Sequence, residues 1–341
     1  MANQRICDKL ERPLQDLRIS IMDRCNFRCS YCMPAEVFGP DHAFMDESEL
    51  LSVDEIVRTA EQFVQLGVKK IRITGGEPLL RKEVPLLIGR LHAIEGLEDL
   101  ALTTNGVMLP KLAKALKDAG LQRVNISLDA LSTETFQKMS GRKTKPQAVF
   151  NGIAAAKDAG LGVKINMVVK RGANEQEVIP LARYAKELGV TLRFIEFMDV
   201  GQTNGWDFSY VVSKKELYKL VSQIGPLEPV NQAYYGEVAS RYRYSGTDTE
   251  VGFISSVTET FCHSCTRARL SADGKLFTCL FSENGTDLRA DLRKGISDEA
   301  LQQKIRQIWA VRADRYSELR TEETAKTRKK LRCLILEVNR R

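Results

Sequence analysis

No stretch of the 341-residue chain approaches the roughly 18 consecutive apolar residues of a membrane span. The opening residues Met1 to Cys7 lack the apolar segment of a secretory leader. No low-complexity linker interrupts the chain. The expectation is a cytoplasmic protein with no membrane partner. That compartment is reducing, which argues against a disulfide framework for the eight cysteines present. Histidine is scarce, at three residues, and none stands near the first group of cysteines before His42.

Apolar residues make up 43% of the chain, enough for a large core. The formal net charge is +7. Excess positive charge favours anionic partners, whether nucleic acid, a membrane surface or a phosphorylated small molecule. Where the charges lie has to decide among these.

One unit repeats: a helical segment ends at Gly and a short apolar strand follows. It occurs at Gly67, Gly120, Gly160 and Gly189, with Gly where a helix end turns left-handed. Ser52 with Glu55, and Asn174 with Glu177, predict capping boxes at helix starts. Pro146 suits a first helical position. Alternating helix and strand predicts a parallel sheet with crossover helices. Six strands are expected, at about residues 16–22, 69–75, 99–105, 123–129, 164–170 and 191–197.

These strands alternate where buried parallel strands read as continuous apolar runs. Arg18 and Ser20 share one face; so do Lys70, Arg72 and Thr74; Ala101, Thr103 and Asn105; Asn125, Ser127 and Asp129; and Lys164 and Asn166. Successive side chains point to opposite faces, so the pattern predicts a curled sheet with an apolar outside and a polar face lining a wet lumen. Beyond about residue 210 the repeat stops. A helix is expected at residues 214–224, strands at 251–257 and 267–280 with a turn at Asp273-Gly274, and a helix at 298–311. The fold class is α/β: a partial (β/α)6-type TIM barrel over residues 1–210, with a C-terminal extension over 211–341 that completes the barrel mouth and carries strands and a second group of cysteines.

Six cysteines fall in two groups; Cys7 and Cys333 stand alone as ordinary thiols. Cys25, Cys29 and Cys32 have the spacing C-x3-C-x2-C directly after the first strand. Three such thiolates can hold three irons of a cubane and leave the fourth open to a small molecule. The alternative is zinc, but a structural zinc site needs four ligands. The triplet, with Tyr31 before its last Cys, resembles the signature of the radical S-adenosylmethionine superfamily. Thr74-Gly75-Gly76-Glu77-Pro78 resembles that superfamily's GGEP motif. The resemblance implies that S-adenosylmethionine binds the open iron and is cleaved to a 5′-deoxyadenosyl radical, and that Tyr31, Gly76, Glu77, Ser127 and Met198 contact it.

Cys262, Cys265 and Cys279 form a second triplet, C-x2-C-x13-C, again able to leave one iron open. A zinc hairpin with His263 is the alternative, although adjacent residues rarely reach one metal. Arg267 and Arg269 lie between these cysteines on one strand face. With Arg18, Lys70, Arg72 and Lys164 they would crowd one cavity with cations, which is costly unless an anion neutralises them. A triphosphate fits that need.

Asp23-Arg-Cys-Asn-Phe-Arg-Cys-Ser-Tyr-Cys32, Arg72-Ile-Thr-Gly-Gly-Glu-Pro78, Thr103-Thr-Asn-Gly106, Asn125-Ile-Ser-Leu-Asp129, Arg193-Phe-Ile-Glu-Phe-Met198 and the run Phe261 to Leu270 together resemble the GTP 3′,8-cyclase family. The resemblance covers nearly the whole chain. It implies two [4Fe-4S] clusters and GTP as substrate. The radical would take the ribose 3′ hydrogen, and the carbon radical would attack C8 of guanine to give (8S)-3′,8-cyclo-7,8-dihydroguanosine 5′-triphosphate. It further implies GTP contacts from Arg18, Arg72, Thr103, Lys164, Arg267, Ala268 and Arg269, with Lys70 and Arg193 held less firmly because the strand pattern leaves the parity of Arg193 open. A cyclic pyranopterin monophosphate synthase would take the product, a reducing donor would supply electrons, and a homodimer is a family-level expectation; no nucleic acid partner is implied. Family members usually end in two glycines, whereas this chain ends Val-Asn-Arg-Arg. Two readings stay open beside it: a peptide-modifying radical enzyme with an auxiliary cluster, and a zinc protein that binds nucleic acid.

Overall fold

A computed structural model describes residues 6–200, 204–321 and 324. Cys333 and the C-terminal residues where a Gly-Gly pair was sought lie outside them. In chain order the elements are β1 (Asp16–Ser20), α1 (Val53–Gln65), β2 (Lys70–Thr74), α2 (Val84–His92), β3 (Asp99–Thr104), α3 (Leu109–Asp118), β4 (Arg123–Ser127), α4 (Thr133–Ser140), α5 (Gln147–Asp158), β5 (Gly162–Val169), α6 (Val178–Glu187) and β6 (Thr191–Glu196). They continue with α7 (Lys214–Val221), β7 (Leu227–Val230), β8 (Ser240–Tyr244), β9 (Glu250–Ile254), β10 (Arg267–Leu270), β11 (Lys275–Phe277), β12 (Thr286–Asp287), α8 (Arg289–Arg293), α9 (Asp298–Ala310) and α10 (Tyr316–Leu319).

The six expected strands are present and pair in sequence order, all parallel. The extension adds more than periodicity suggested. β9 pairs parallel with β6 and β10 parallel with β1, so the sheet grows at both edges. The full order is β12-β11-β10-β1-β2-β3-β4-β5-β6-β9-β8-β7. No β9–β10 pairing is recorded among the described residues, so the barrel is partial. The sequence analysis did not anticipate β7 and β8: β7 is four residues long and contains Pro229, and β8 is a short Arg–Tyr alternation.

The helix–glycine repeat is as read. α1, α3, α5 and α6 each end two residues before their glycine; Gly120, for one, has φ +97°, which favours a residue without Cβ. Ser52 and Glu55 form the predicted capping box. The box expected at Asn174 and Glu177 does not form. Its side chains serve tertiary contacts: Asn174 bridges the carbonyls of Asp129 and Val168 at 2.9 Å each, and Glu177 accepts from Leu131 N at 2.9 Å and from Ser132. α6 therefore starts one short turn later, at Val178. Pro146 takes the position just before α5.

The apolar strand residues, Leu17, Ile19, Ile71 and Ile73 among them, pack outward against the helices in one continuous core. The polar face is enclosed: Arg18, Arg72, Thr103, Asn125 and Asn166 are all buried. Segments after β6, with Tyr234, Glu237 and Phe261, help close it, as a C-terminal region completing the barrel mouth would. Gly205 to Tyr210 folds back on its own chain, with Trp206 Nε1 donating to Phe197 O at 2.8 Å.

Candidate active site

The first cysteine triplet follows the C-terminal end of β1, where the loops of such barrels carry reacting groups. Arg28 shapes its loop by donating to the carbonyls of Cys25, Phe27 and Phe38 at 2.6–2.9 Å. The turn after β2 lies directly on this loop. Gly76 N donates to Met22 O at 2.8 Å and Glu77 N to Arg24 O at 2.7 Å. A Cβ on Gly76 would stand 2.2 Å from Arg24 O. The glycine was expected to let a ligand approach; here it lets another stretch of backbone approach, the one leading into Cys25.

Glu77 is fully buried. Its carboxylate accepts from Thr104 Oγ1 at 2.6 Å, Asn105 N at 2.8 Å and Leu79 N at 3.2 Å. Asn105 in turn donates to Asn26 Oδ1 at 2.6 Å. The ends of β2 and β3 are thereby tied to the cysteine loop. Tyr31 donates to Asp129 at 2.7 Å. Cys29, Tyr31 and Ser127 line one cavity with Phe27, Asn105 and Asp129. Met198 is not among its lining residues; it packs against Val200, Leu280 and Phe281.

The second triplet lies beyond the other end of the strands. Cys265 precedes the start of β10, and Cys279 follows β11, which runs antiparallel to β10. Because β10 is parallel to β1 with Arg267 opposite Asp16, the two triplets face each other along β1. That strand is five residues long, or about 16 Å at ~3.3 Å per residue. No group of three or more His, Cys, Asp or Glu among the described residues is arranged to hold a metal ion. A cubane sets each thiolate on a different iron. The donor set of each triplet, three cysteines and an unfilled fourth place, suits such a cluster.

Burial raises the pKa of Cys265, but Arg267 and Arg312 outweigh it and bring the thiol down to about 6. Burial and Asp314 push Cys279 up to about 11.

Between the triplets, a cavity is lined by Arg18, Arg72, Arg193, Arg267, Arg269 and Asp16. Arg18 lies level with Arg72 on one side and Arg269 on the other. Arg193 faces this lumen, which settles its parity: it donates to Asn166 Oδ1 at 2.9 Å and Asn125 Oδ1 at 2.5 Å. Arg18 Nε, Arg72 Nε, Arg269 Nε and Nη1, Asn125 Nδ2 and Thr103 Oγ1 are buried with no hydrogen-bond partner among the described residues. Unpaired buried donors are rare because each forfeits its hydration. So many in one cavity call for an acceptor-rich anion.

The electrostatics agree. Burial and then Arg72 hold Arg18 well below the ordinary guanidinium range, and burial also lowers Arg72 and Arg269. Lys164 is brought down to about 8 by burial and then by Arg193 and Arg123. Asp16 moves the other way: burial opposes its charge, yet Arg18, Arg72, Arg267 and Lys70 together hold its pKa below the usual carboxylate range.

Two of the expected GTP contacts, Lys70 and Ala268, are not among the residues lining this cavity. Lys70 sits at the rim, 3.3 Å from Asp99 Oδ2 and under the ring of Tyr234. The Ala268 side chain belongs to the apolar core on the opposite face from Arg267 and Arg269. Arg267 also has a partner, donating to Cys265 Sγ at 3.2 Å. The sequence reading passed over Asp16, although strand parity with Arg18 was enough to place it in the lumen. It singled out the Asn125 motif without assigning the side chain a role.

The radical SAM superfamily model matches residues 19–185, and the molybdenum cofactor synthesis C model matches residues 190–318. Curated GTP 3′,8-cyclases from Staphylococcus carnosus and Staphylococcus saprophyticus are 50% and 49% identical to this chain over 328 residues, 96% of each chain. In fold, the chain is similar to the Streptococcus suis protein SuiB bound to S-adenosylmethionine, with a TM-score of 0.61 at 14% identity over 86% of this chain and 68% of that one. By sequence across both halves, the chain belongs to the GTP 3′,8-cyclase family of radical S-adenosylmethionine enzymes.

Proposed function

We propose that this chain converts GTP to (8S)-3′,8-cyclo-7,8-dihydroguanosine 5′-triphosphate, the first step of molybdenum cofactor biosynthesis. The observation that carries the reading is the cage of buried guanidinium donors without hydrogen-bond partners between two cysteine triplets, in which Arg18 has only a long 4.0 Å ion pair to Asp16. When bound at Cys25, Cys29 and Cys32, a [4Fe-4S] cluster with S-adenosylmethionine supplies the radical that opens the reaction. Residues 1–210 hold that cofactor, with Tyr31, Gly76, Glu77 and Ser127 around it, whereas Met198 packs against Val200, Leu280 and Phe281. Residues 211–341 hold a second [4Fe-4S] cluster through Cys262, Cys265 and Cys279, at the end of the lumen where the guanine base sits.

The chain's own residues bind and orient. Arg18, Arg72, Arg269 and Lys164 present fixed donors to the triphosphate, and a guanidinium fork matches phosphate oxygens. Thr103 and Arg193 complete the lumen wall. Enclosure excludes water, so that a carbon radical meets only the groups fixed around it. A reducing donor supplies the electron and a cyclic pyranopterin monophosphate synthase takes the product; family membership supports both, with a cytoplasmic location and a homodimer. No helix among the described residues is long and apolar enough to cross a membrane. Peptide modification has only a likeness of fold in its favour.

Metal and acid-labile sulfide analysis of protein purified without oxygen tests the cluster assignment. A brown protein with about eight irons per chain is expected for two cubanes, whereas zinc without sulfide would overturn the reading. Arg269→Ala should weaken GTP binding about tenfold or more, the worth of a hydrogen bond to a charged group. Arg267→Ala should do the same and also disturb Cys265. Unchanged affinity in both would refute the substrate assignment.

A further inference from the structure

The second cysteine triplet is gripped from behind by a polar network that no strand pattern pointed to. Arg12 Nη1 donates to Cys262 O at 2.7 Å. Arg312 Nη1 donates to Cys265 O at 2.9 Å, and Arg312 Nε to Thr278 O at 3.0 Å. Each cysteine of the triplet thus has a guanidinium on its own carbonyl or on that of the residue before it. The two arginines share one carboxylate: Asp8 Oδ2 lies 2.7 Å from Arg12 Nε and 2.8 Å from Arg312 Nη1. Asp8 Oδ1 also accepts from the backbone of Leu10 and Arg12. Trp309 closes the back, donating from Nε1 to Arg12 O at 3.0 Å with the Arg312 guanidinium 4.5 Å from its ring. Asp8, Arg12, Arg312 and Trp309 are all buried.

The three carbonyls come from two separate segments, the turn at 262–265 and the end of β11. The arginines come from opposite ends of the chain, 300 residues apart. A hydrophobic contact would hold these segments together without fixing their rotation. Planar forks on three carbonyls fix the direction of each peptide, and with it the direction in which each cysteine side chain leaves the backbone.

We propose that Asp8, Arg12 and Arg312 are positioning residues for the second cluster: they pre-set the three thiolates of Cys262, Cys265 and Cys279 and leave the first triplet unaffected. The idea rests on the two-cluster reading above and deepens it. Outer-shell hydrogen bonds orient ligating side chains and set cluster properties.

The test uses full-length protein reconstituted without oxygen, as wild type, Asp8→Asn and Arg312→Lys, with iron and sulfide counts and the electron paramagnetic resonance spectrum of the reduced protein. Asp8→Asn removes the shared charge, and Arg312→Lys keeps the charge but loses the fork. Each variant should fall from about eight irons toward about four, lose the signal of the second cluster, and keep that of the first with its response to S-adenosylmethionine. Retention of the first cluster also reports that the barrel is folded. Full iron content with an unchanged second-cluster spectrum, even with a lower melting temperature, would overturn the proposal and leave the network as a plain fastening. If Asp8→Asn loses both clusters, Arg312→Lys decides by the same spectra. Wild-type protein with only four irons would instead sink the two-cluster reading itself.

Discussion

At the residue scale, the site is built from side chains and glycines whose value lies in what they stand against. Gly76 is the clearest case. The extra carbon of Gly76→Ala would meet a carbonyl oxygen at 2.2 Å, and that oxygen belongs to backbone that cannot swing away. The turn after β2 and the loop leading to Cys25 would have to separate. The expected result is protein that loses the first cluster, about four irons, and keeps those of the second cluster proposed above. Iron content per chain with the reduced spectrum checks it, and a full complement would show that the loops tolerate the separation. The same scale explains the division between two neighbouring arginines. Arg267 spends one donor on Cys265 Sγ and stacks over Phe261, whereas Arg269 keeps Nε and Nη1 for the lumen.

At the scale of elements, helix starts separate those that local sequence controls from those that tertiary contacts control. Ser52 and Glu55 bond each other's backbone at the exposed start of α1, with Glu55 N to Ser52 Oγ at 3.1 Å and Ser52 N to Glu55 Oε2 at 2.7 Å. Ser52→Ala should lower stability by about 1 kcal/mol, read as a lower urea midpoint, with iron content and GTP turnover unchanged. A change in iron content would mean that α1 communicates with the clusters. Asn174 and Glu177 carry an equally good local signal, but groups of the loop after β4 and the Val168 carbonyl of β5 compete for them and win. A buried N–H or C=O left unpaired costs about 1–3 kcal/mol, more than an exposed cap returns.

At the scale of the whole molecule, the barrel is a device for keeping cations close together away from water. Lys164 shows the consequence. Burial first, then Arg193 and Arg123, bring it down to about 8. GTP carries the opposite charge and favours its protonated form. GTP affinity should therefore fall as pH rises through about 8, by no more than about tenfold per pH unit for one proton. Titration calorimetry between pH 7 and pH 9 measures this, and Lys164→Met should flatten the profile; an undiminished slope in that variant would place the titration elsewhere. Stability of the empty protein should move the other way. Between about 8 and the ordinary lysine value of 10.5, the unfolded chain holds the proton that the folded chain has lost. Lys164 thus makes stability rise with pH in that window.

The sequence by itself determined the parallel strands, the glycines that end the helices, the polar face and the two cysteine triplets, because each depends on spacing along the chain. It also placed most of the cationic residues on one face, since alternation along a strand is a local property. Tertiary structure alone decided the rest. Neither the parallel placement of β9 and β10 beside β6 and β1, nor the closing of the polar face into an enclosed cage, leaves a mark on any one segment. The same holds for the meeting of Asp8 and Arg12 with Arg312 behind the second triplet. These depend on which distant segments come to share one buried space, and burial is what turns an ordinary arginine into an unpaired donor waiting for an anion.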